Sequence, residues 1–269
     1  MLVIAHVDKK GRRRFTTFNS ESLMSQSTNC HALAANGLLS TLPLEEVEHL
    51  FPSLEPVTFE LGKVICEPRE HLNNVYFPTT SVVSFLYTMA DGATAETGLV
   101  GNDGIVGVTL ILGGETTPNR AVVQIAGGAF RMRAKLLARE FARGGAFQHS
   151  LLRYTQALIT QISQTAVCNR LHPVAERLSR WLLLCHDRAE SDELLMTQEF
   201  IANMLGGRRE SVTVAACHLQ DAGLIQYARG HIRIIDRKRL EANACECYQI
   251  VKNECARLVG TNRRPDFSQ

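Results

Sequence analysis

Thr197 to Ile235 reads TQEFIANMLGGRRESVTVAACHLQDAGLIQYARGHIRII, which spells two short helices across a glycine turn and then a small hairpin, the order of a winged helix-turn-helix. Thr197 is placed to cap the first helix, Glu199 lies near its positive dipole end, and Phe200, Ile201, Met204 and Leu205 recur at helical spacing. Gly206 and Gly207 stop it, because a tight turn between crossed helices needs a residue that accepts positive φ. The second helix, from about Arg208 to Ala222, aligns Val212, Ala215, Ala216 and Leu219 on a core stripe. Arg209, Glu210, Thr213, Val214 and Cys217 project from the other side. Arg209 and Glu210 at a helix start suit base edges: arginine gives a bidentate pair to guanine, glutamate accepts from cytosine N4, and the Val214 methyls meet a thymine methyl. Arg208, Ser211 and Thr213 are then assigned to phosphates, beside Thr197. The hairpin turns at Ala228-Arg229-Gly230-His231 and carries Arg229 at its tip.

Charge supports that assignment. Between Arg208 and Arg239 there are seven Lys or Arg against three acids, a local balance of +4 in a chain whose formal net charge is +2. The Thr-Gln-Glu opening, the Leu-Gly turn, the Arg-Glu-Ser-Val helix start and the closing Gly-Leu-Ile resemble the C-terminal domain of the Crp/Fnr family of bacterial transcription regulators. Nothing in the chain has the pattern of a phosphate-binding glycine loop, an HExxH metalloprotease helix or a nucleophile elbow, so no enzyme is expected.

The chain of 269 residues, 45% hydrophobic, has length for two domains. Residues 1–28 are rich in Ser, Thr and Arg and are expected to be a disordered extension; their apolar run is too short and wrongly placed for a secretory signal or a membrane span. Eight scattered cysteines suit a reducing cytoplasm. From Leu54 to Met132 short apolar segments alternate with turns: Val64-Ile65-Cys66, Val75-Tyr76-Phe77, Val82 to Tyr87, Leu99-Val100, Ile105 to Leu112 and Ala121 to Ile125, with Asp91-Gly92 as a hairpin signal. This region resembles the β-roll of cyclic-nucleotide-binding domains, so the fold class expected is α+β: a jelly-roll-like β-roll over 29–145, a dimerisation helix over 146–170, and a winged helix-turn-helix with a C-terminal helix over 171–260.

By that resemblance the roll is a sensor, and its pocket would fall at Gly104, Gly107, Val108, Arg120 and Ala121. In cyclic-AMP-binding relatives a Gly-Glu pair and an Arg-Ser pair hold the ligand; here Val108 and Ala121 stand where the glutamate and serine would fall. A ribose hydroxyl facing valine would lose a hydrogen bond worth roughly 1–3 kcal/mol, so cyclic AMP is not expected to bind in the usual manner. Arg120 and the amides of Gly101 to Gly107 would hold another anion, or Arg120 would pair inside the roll with Glu115 or Glu96; both readings stand at this point.

In the helical stretch Ala134 to Cys168, Gly144-Gly145 marks the start of the long helix and His172-Pro173 its end. Phe147, Leu151, Tyr154, Leu158, Ile162 and Thr165 recur at three- and four-residue steps, a seam that would pack either against a second copy or under the roll. The family places its dimer helix here, which implies a homodimer on a pseudo-palindromic operator of double-stranded DNA, with RNA polymerase as a further partner. Val174, Leu178, Trp181, Leu182 and Cys185 give the next helix an apolar face on which Trp181 is a core residue. In the last helix Cys245, Cys247 and Cys255 raise a metal site, but positions two apart on a helix diverge, and Leu240, Ala244, Cys247, Tyr248, Val251, Cys255 and Leu258 form a packing stripe; packing is the expectation and no metal is assigned. An iron–sulfur cluster of the oxygen-sensing branch would need an N-terminal cysteine cluster, whereas only Cys30 precedes the roll; haem ligands among nine histidines leave no spacing signature. The effector is unidentified, and a constitutive DNA-binding protein with a ligand-free roll is the alternative.

Overall fold

A computed structural model describes residues 33–189 and 191–260 in full, and the backbone of residues 2–7 and 13–18. Where the sequence suggests an irregular extension, the backbone carries two antiparallel strands, β1 (Leu2–Val7) and β2 (Arg13–Phe18), both rich in the β-branched and aromatic residues that favour pairing. Cys30 lies outside the described residues.

Two short helices, α1 (Gly37–Ser40) and α2 (Leu44–Leu50), lead into the roll. Asn36, fully buried, caps α1 through the Leu39 amide and donates to the carbonyls of Pro78 at 2.8 Å and Gly104 at 2.9 Å, so one side chain ties this entrance to two loops of the roll. The roll is two antiparallel sheets. One orders β3 (Glu55–Phe59), β9 (Gly127–Arg133) and β5 (Asn74–Pro78); the other orders β4 (Val64–Cys66), β8 (Arg120–Ile125), β6 (Val82–Thr88) and β7 (Thr94–Val100). Asp91-Gly92 closes the β6–β7 hairpin as expected, with Gly92 at φ 86°. Ile105 to Leu112 departs from expectation. Gly107, at φ 104°, breaks the extended run, Val106 makes a single bridge to Tyr76, and Val108–Leu112 coils into a 3-10 turn. Conversely, Gly127 and Gly128 do not end a segment but begin β9. A Cβ on Gly127 would meet Thr80 at 2.5 Å, so the strand passes there only because the side chain is missing.

Helix α3 (Ala134–Arg143) follows, and Gly144 at φ 80°, ψ −159° turns the chain into α4 (Gly145–Leu171). Phe147, Leu151, Tyr154 and Leu158 of α4 join Phe77, Val83, Val100 and Ile105 in the roll's core. Each is nearly inaccessible because the open side of the roll needs an apolar cover. Then come α5 (Val174–His186), β10 (Glu193–Leu195), α6 (Gln198–Leu205), α7 (Arg209–Asp221), β11 (Ile225–Ala228), β12 (His231–Ile234), α8 (Arg237–Asn243) and α9 (Glu246–Val259). The single last helix read from the sequence is thus two, parted at Ala244-Cys245, where both residues are extended rather than helical. No helix among the described residues is long and apolar enough to cross a membrane.

A second core lies under α5 to α8 and extends into the roll: Val82 and Leu99 pack with Leu178, Trp181, Leu182, Ile201, Met204 and Leu205. Roll and helix-turn-helix are therefore joined by shared apolar burial, the dominant favourable term in packing, as well as by chain connection.

Candidate nucleic-acid interface

Local chemistry builds the two-helix unit as the sequence implies. The Thr197 hydroxyl accepts from the Phe200 amide at 3.2 Å, a cap worth about 1 kcal/mol, and its backbone carbonyl receives the first helical bond from Ile201. Gly206 ends α6 at φ 58°, ψ 38°, the left-handed closure that a β-carbon penalises. Gly207, by contrast, does not take positive φ. Val212, Ala215, Ala216 and Leu219 are buried, which aims the opposite face of α7 outward.

On that face Arg208, the residue that precedes the helix, and Arg209, Glu210 and Ser211 in its first turn are all exposed. Val214, a large apolar residue, is 55% exposed one turn later. Thr213 differs from its assignment: its hydroxyl bonds the Gln198 side chain at 3.0 Å and the Arg209 carbonyl at 2.9 Å, fastening α7 to α6. Its first role is to hold the angle between the helices. The wing turns on Arg229 at φ 49° and Gly230 at φ 82°, two successive left-handed residues that match the twist of a two-residue hairpin. Arg229 is the non-glycine member and stands exposed at the tip. Strand β10 pairs with β12 and makes the wing three-stranded. The structure alternates exposed Glu193 and Leu195 with buried Leu194 and Met196, but the sequence Glu-Leu-Leu-Met shows no polar–apolar alternation that would have revealed the strand.

Polar bonds fix this unit to the roll. The Trp181 indole donates to Glu96 at 3.0 Å. Burial raises the Glu96 carboxyl to about 7, against the opposing influence of Ser84, Trp181, Arg180 and Arg188. Arg188 is buried and forks onto Asp103, Nε to Oδ1 at 3.0 Å and Nη2 to Oδ2 at 2.5 Å, while its Nη1 donates to the Leu184 carbonyl. Burial works against the guanidinium charge there, yet Asp103, with Cys255 and Asp187, offsets it and the net direction is upward. Within the helix-turn-helix domain itself, the Arg177 guanidinium donates to the carbonyl of Leu205 at the end of α6. None of these links was anticipated. Nothing in the sequence ties Glu96 or Asp103 to residues 181 and 188, and only the tertiary arrangement brings them together across 85 residues.

The proposed effector pocket is not brought together as an open site. A Cβ on Gly104 would lie 2.1 Å from the Tyr154 ring, and one on Gly107 2.8 Å from Val75, so both glycines face packed side chains. Ala121 is buried, Val108 is partly buried, and Arg120 pairs at 2.8 Å with Glu67, neither of the partners suggested by the sequence. Register explains this: Arg120 starts β8 beside β4, and Glu67 follows β4 directly. The amides of Gly101, Gly104 and Val106 already bond Asp103, Gly101 and Tyr76.

Most residues of the expected dimer seam are buried within the chain itself. Phe147, Leu151, Tyr154 and Leu158 are spent on the roll's core, and Thr165 bonds Gln161 and Arg180; of the six residues named, only Ile162 is exposed. The large apolar residues that α4 leaves uncovered are Leu152, Ile159, Ile162, Val167 and, at its last position, Leu171. A three-and-four repeat does not distinguish a helix that covers a sheet from one that meets its twin, and here one helix has both stripes.

Residues 176–243 match the family model of the Crp-like helix-turn-helix domain. No curated protein matches the chain. Among solved structures, FixK2 from Bradyrhizobium japonicum superposes with a TM-score of 0.62 at 17% identity over 71% of this chain and 98% of its own. A putative transcriptional regulator of the Crp/Fnr family from Eubacterium rectale gives 0.61 at 16% identity over 78% and 98%. TTHB099, a CRP-family transcriptional regulator from Thermus thermophilus, gives 0.60 at 18% over 70% and 96%. Residues 176–243 are thus a Crp-like helix-turn-helix domain, and the chain that carries it has the fold of the Crp/Fnr regulators.

Proposed function

We propose that this protein is a sequence-specific DNA-binding transcription regulator that acts as a homodimer on a pseudo-palindromic operator. The observation that carries the reading is the first turn of α7, where Arg208, Arg209, Glu210 and Ser211 stand exposed beside a positive wing tip while the rest of the helix is anchored. Arg209 and Glu210 read base edges; Arg208, Ser211, Thr197 and Arg229 meet phosphates; Thr213 and Val214 complete the face. Dimerisation uses Leu152, Ile159 and Ile162, seven and three residues apart on α4, with Val167 beside them. Two copies would present α7 to successive major grooves about 34–36 Å apart. The cytoplasm and RNA polymerase are the setting and partner that go with this role.

A second reading concerns the roll. The contacts of Tyr154 with Gly104 and of Val75 with Gly107 favour a roll that works without a bound cyclic nucleotide, as a structural module of a constitutive DNA-binding protein. The alternative is an effector that enters only after Tyr154 moves, and that would control the protein by favouring one arrangement of the paired readers.

Selection of fragments bound by the full chain from random DNA tests the first reading. The expected result is a two-fold motif with half-sites one helical turn apart; recovery of no motif, or of a single unpaired half-site, overturns it. Operator affinity measured with and without cyclic nucleotides separates the two views of the roll, since an equal affinity in all cases supports the module and a changed affinity supports the effector.

A further inference from the structure

Four side chains far apart in sequence meet where the long helix ends. Cys168 lies in the last turn of α4, His172 caps that helix, Cys245 caps the start of α9, and Cys247 lies in its first turn. One ligand atom from each lies within 4.8 Å of all the others. Cys168 Sγ stands 3.4 Å from Cys245 Sγ, and Cys247 Sγ stands 3.6 Å from His172 Nδ1. The objection that residues two apart on a helix diverge fails here, because Cys245 is extended, at φ −68°, ψ 162°, and turns its thiol toward that of Cys247. Cys255 is elsewhere, beside Asp103.

We propose that Cys168, His172, Cys245 and Cys247 form a tetrahedral site for a thiophilic divalent metal, zinc(II) foremost. Thiolates about 2.3 Å from a tetrahedral zinc stand about 3.8 Å from one another, so the observed spacing needs only small side-chain adjustment. Three further features fit a metal rather than simple packing. First, the three cysteines form a buried cluster of their own, separate from both hydrophobic cores. Second, His172 presents Nδ1 to the thiols while its Nε2 faces Glu246 at 3.3 Å, the carboxylate partner that orients a metal-bound imidazole. Third, Arg180 is buried beside Cys168 and Cys247, is in no ion pair among the described residues, and has an Nε with no partner among them. Three thiolates and a neutral imidazole around a dication carry net charge −1, a charge that suits the guanidinium beside it; the three thiol protons leave to solvent as the metal binds. All four protein ligands are supplied, which leaves no open position and assigns the ion a structural role. It would clamp the α8–α9 junction to His172, next to Pro173, where the roll's helix passes into the reader.

The test is made on the full-length protein, reduced and stripped with a chelator, then titrated with cobalt(II) while absorbance is followed. The expected result is one cobalt per chain with thiolate-to-cobalt charge transfer and the visible bands of tetrahedral cobalt, displaced on addition of one zinc. Cys247→Ser should abolish the charge-transfer saturation at one equivalent, Glu246→Gln should weaken binding about 10-fold, and Cys217→Ser, at an exposed cysteine outside the site, should leave it unchanged. A reduced wild-type protein with unaltered circular dichroism that gives no charge-transfer band overturns the proposal without need of any variant. So does a Cys168–Cys245 disulfide in protein isolated with its thiols blocked at lysis, or full retention of the band in Cys247→Ser.

Discussion

Asp103→Asn should detach the reader from the roll. Asp103 and Arg188 have side chains only 12% and 6% exposed and share two hydrogen bonds, and Asp103 Oδ1 also accepts from the Gly101 amide at 3.0 Å. The amide side chain keeps the shape but leaves the Arg188 charge buried without its counter-ion, next to a Gly101 so closely packed that a Cβ there would meet Arg188 at 2.6 Å. Removing one partner of such a pair costs about 3–5 kcal/mol, more than an exposed bridge by several-fold. Trp181 is the only tryptophan and sits in the same interface, bonded to Glu96, so its fluorescence reports undocking in a urea titration. The expected result is a midpoint lowered by the equivalent of about 3 kcal/mol or a new early transition, largely recovered when Arg188→Met removes the orphaned charge as well. A loss below about 1 kcal/mol in Asp103→Asn would refute the view that this pair holds the two parts together.

Further outcomes follow from the same contacts. The Glu96 carboxyl is raised by burial from an ordinary 4.5 to about 7, so the folded protein holds a proton that the unfolded chain releases. Stability should therefore fall as pH rises from about 4.5 to 7, by on the order of 3 kcal/mol, and Glu96→Gln should flatten that slope in chemical denaturation at several pH values. Gly104→Ala should force Tyr154 from its place and lower thermal stability markedly, whereas Gly207→Ala, with nothing within 4 Å, should change it little. Arg229→Ala should weaken binding to all DNA sequences alike and reduce the salt slope by about one.

The reader was legible in detail because its signals are local. Thr197, Gly206 and the Arg229-Gly230 turn each act on residues within four positions of themselves, and the α7 stripe needs only helical periodicity. The roll was legible in outline, since short apolar segments between turns mark β4, β5, β6 and β8 but not β9, whose opening glycines look like a loop until Thr80 is seen against them. What stayed hidden depends on which face meets which. The α4 repeat carries no mark that Tyr154 fills the roll while Ile159 does not, because both stripes are apolar. Cys168 and Cys245 come together only because α8 stops at Asn243 and frees the next residues from helical geometry. A break so short leaves no composition signal.

The most direct measurement repeats the selection from random DNA with Arg209→Ala beside the wild-type chain. The expected result is that one base pair in each half-site loses its preference, with a cost of roughly 1–3 kcal/mol on the preferred operator, while the remaining positions and the half-site spacing persist. A motif identical to wild type would show that α7 does not read bases through Arg209, and loss of every preferred position at once would show that the arginine only secures the backbone.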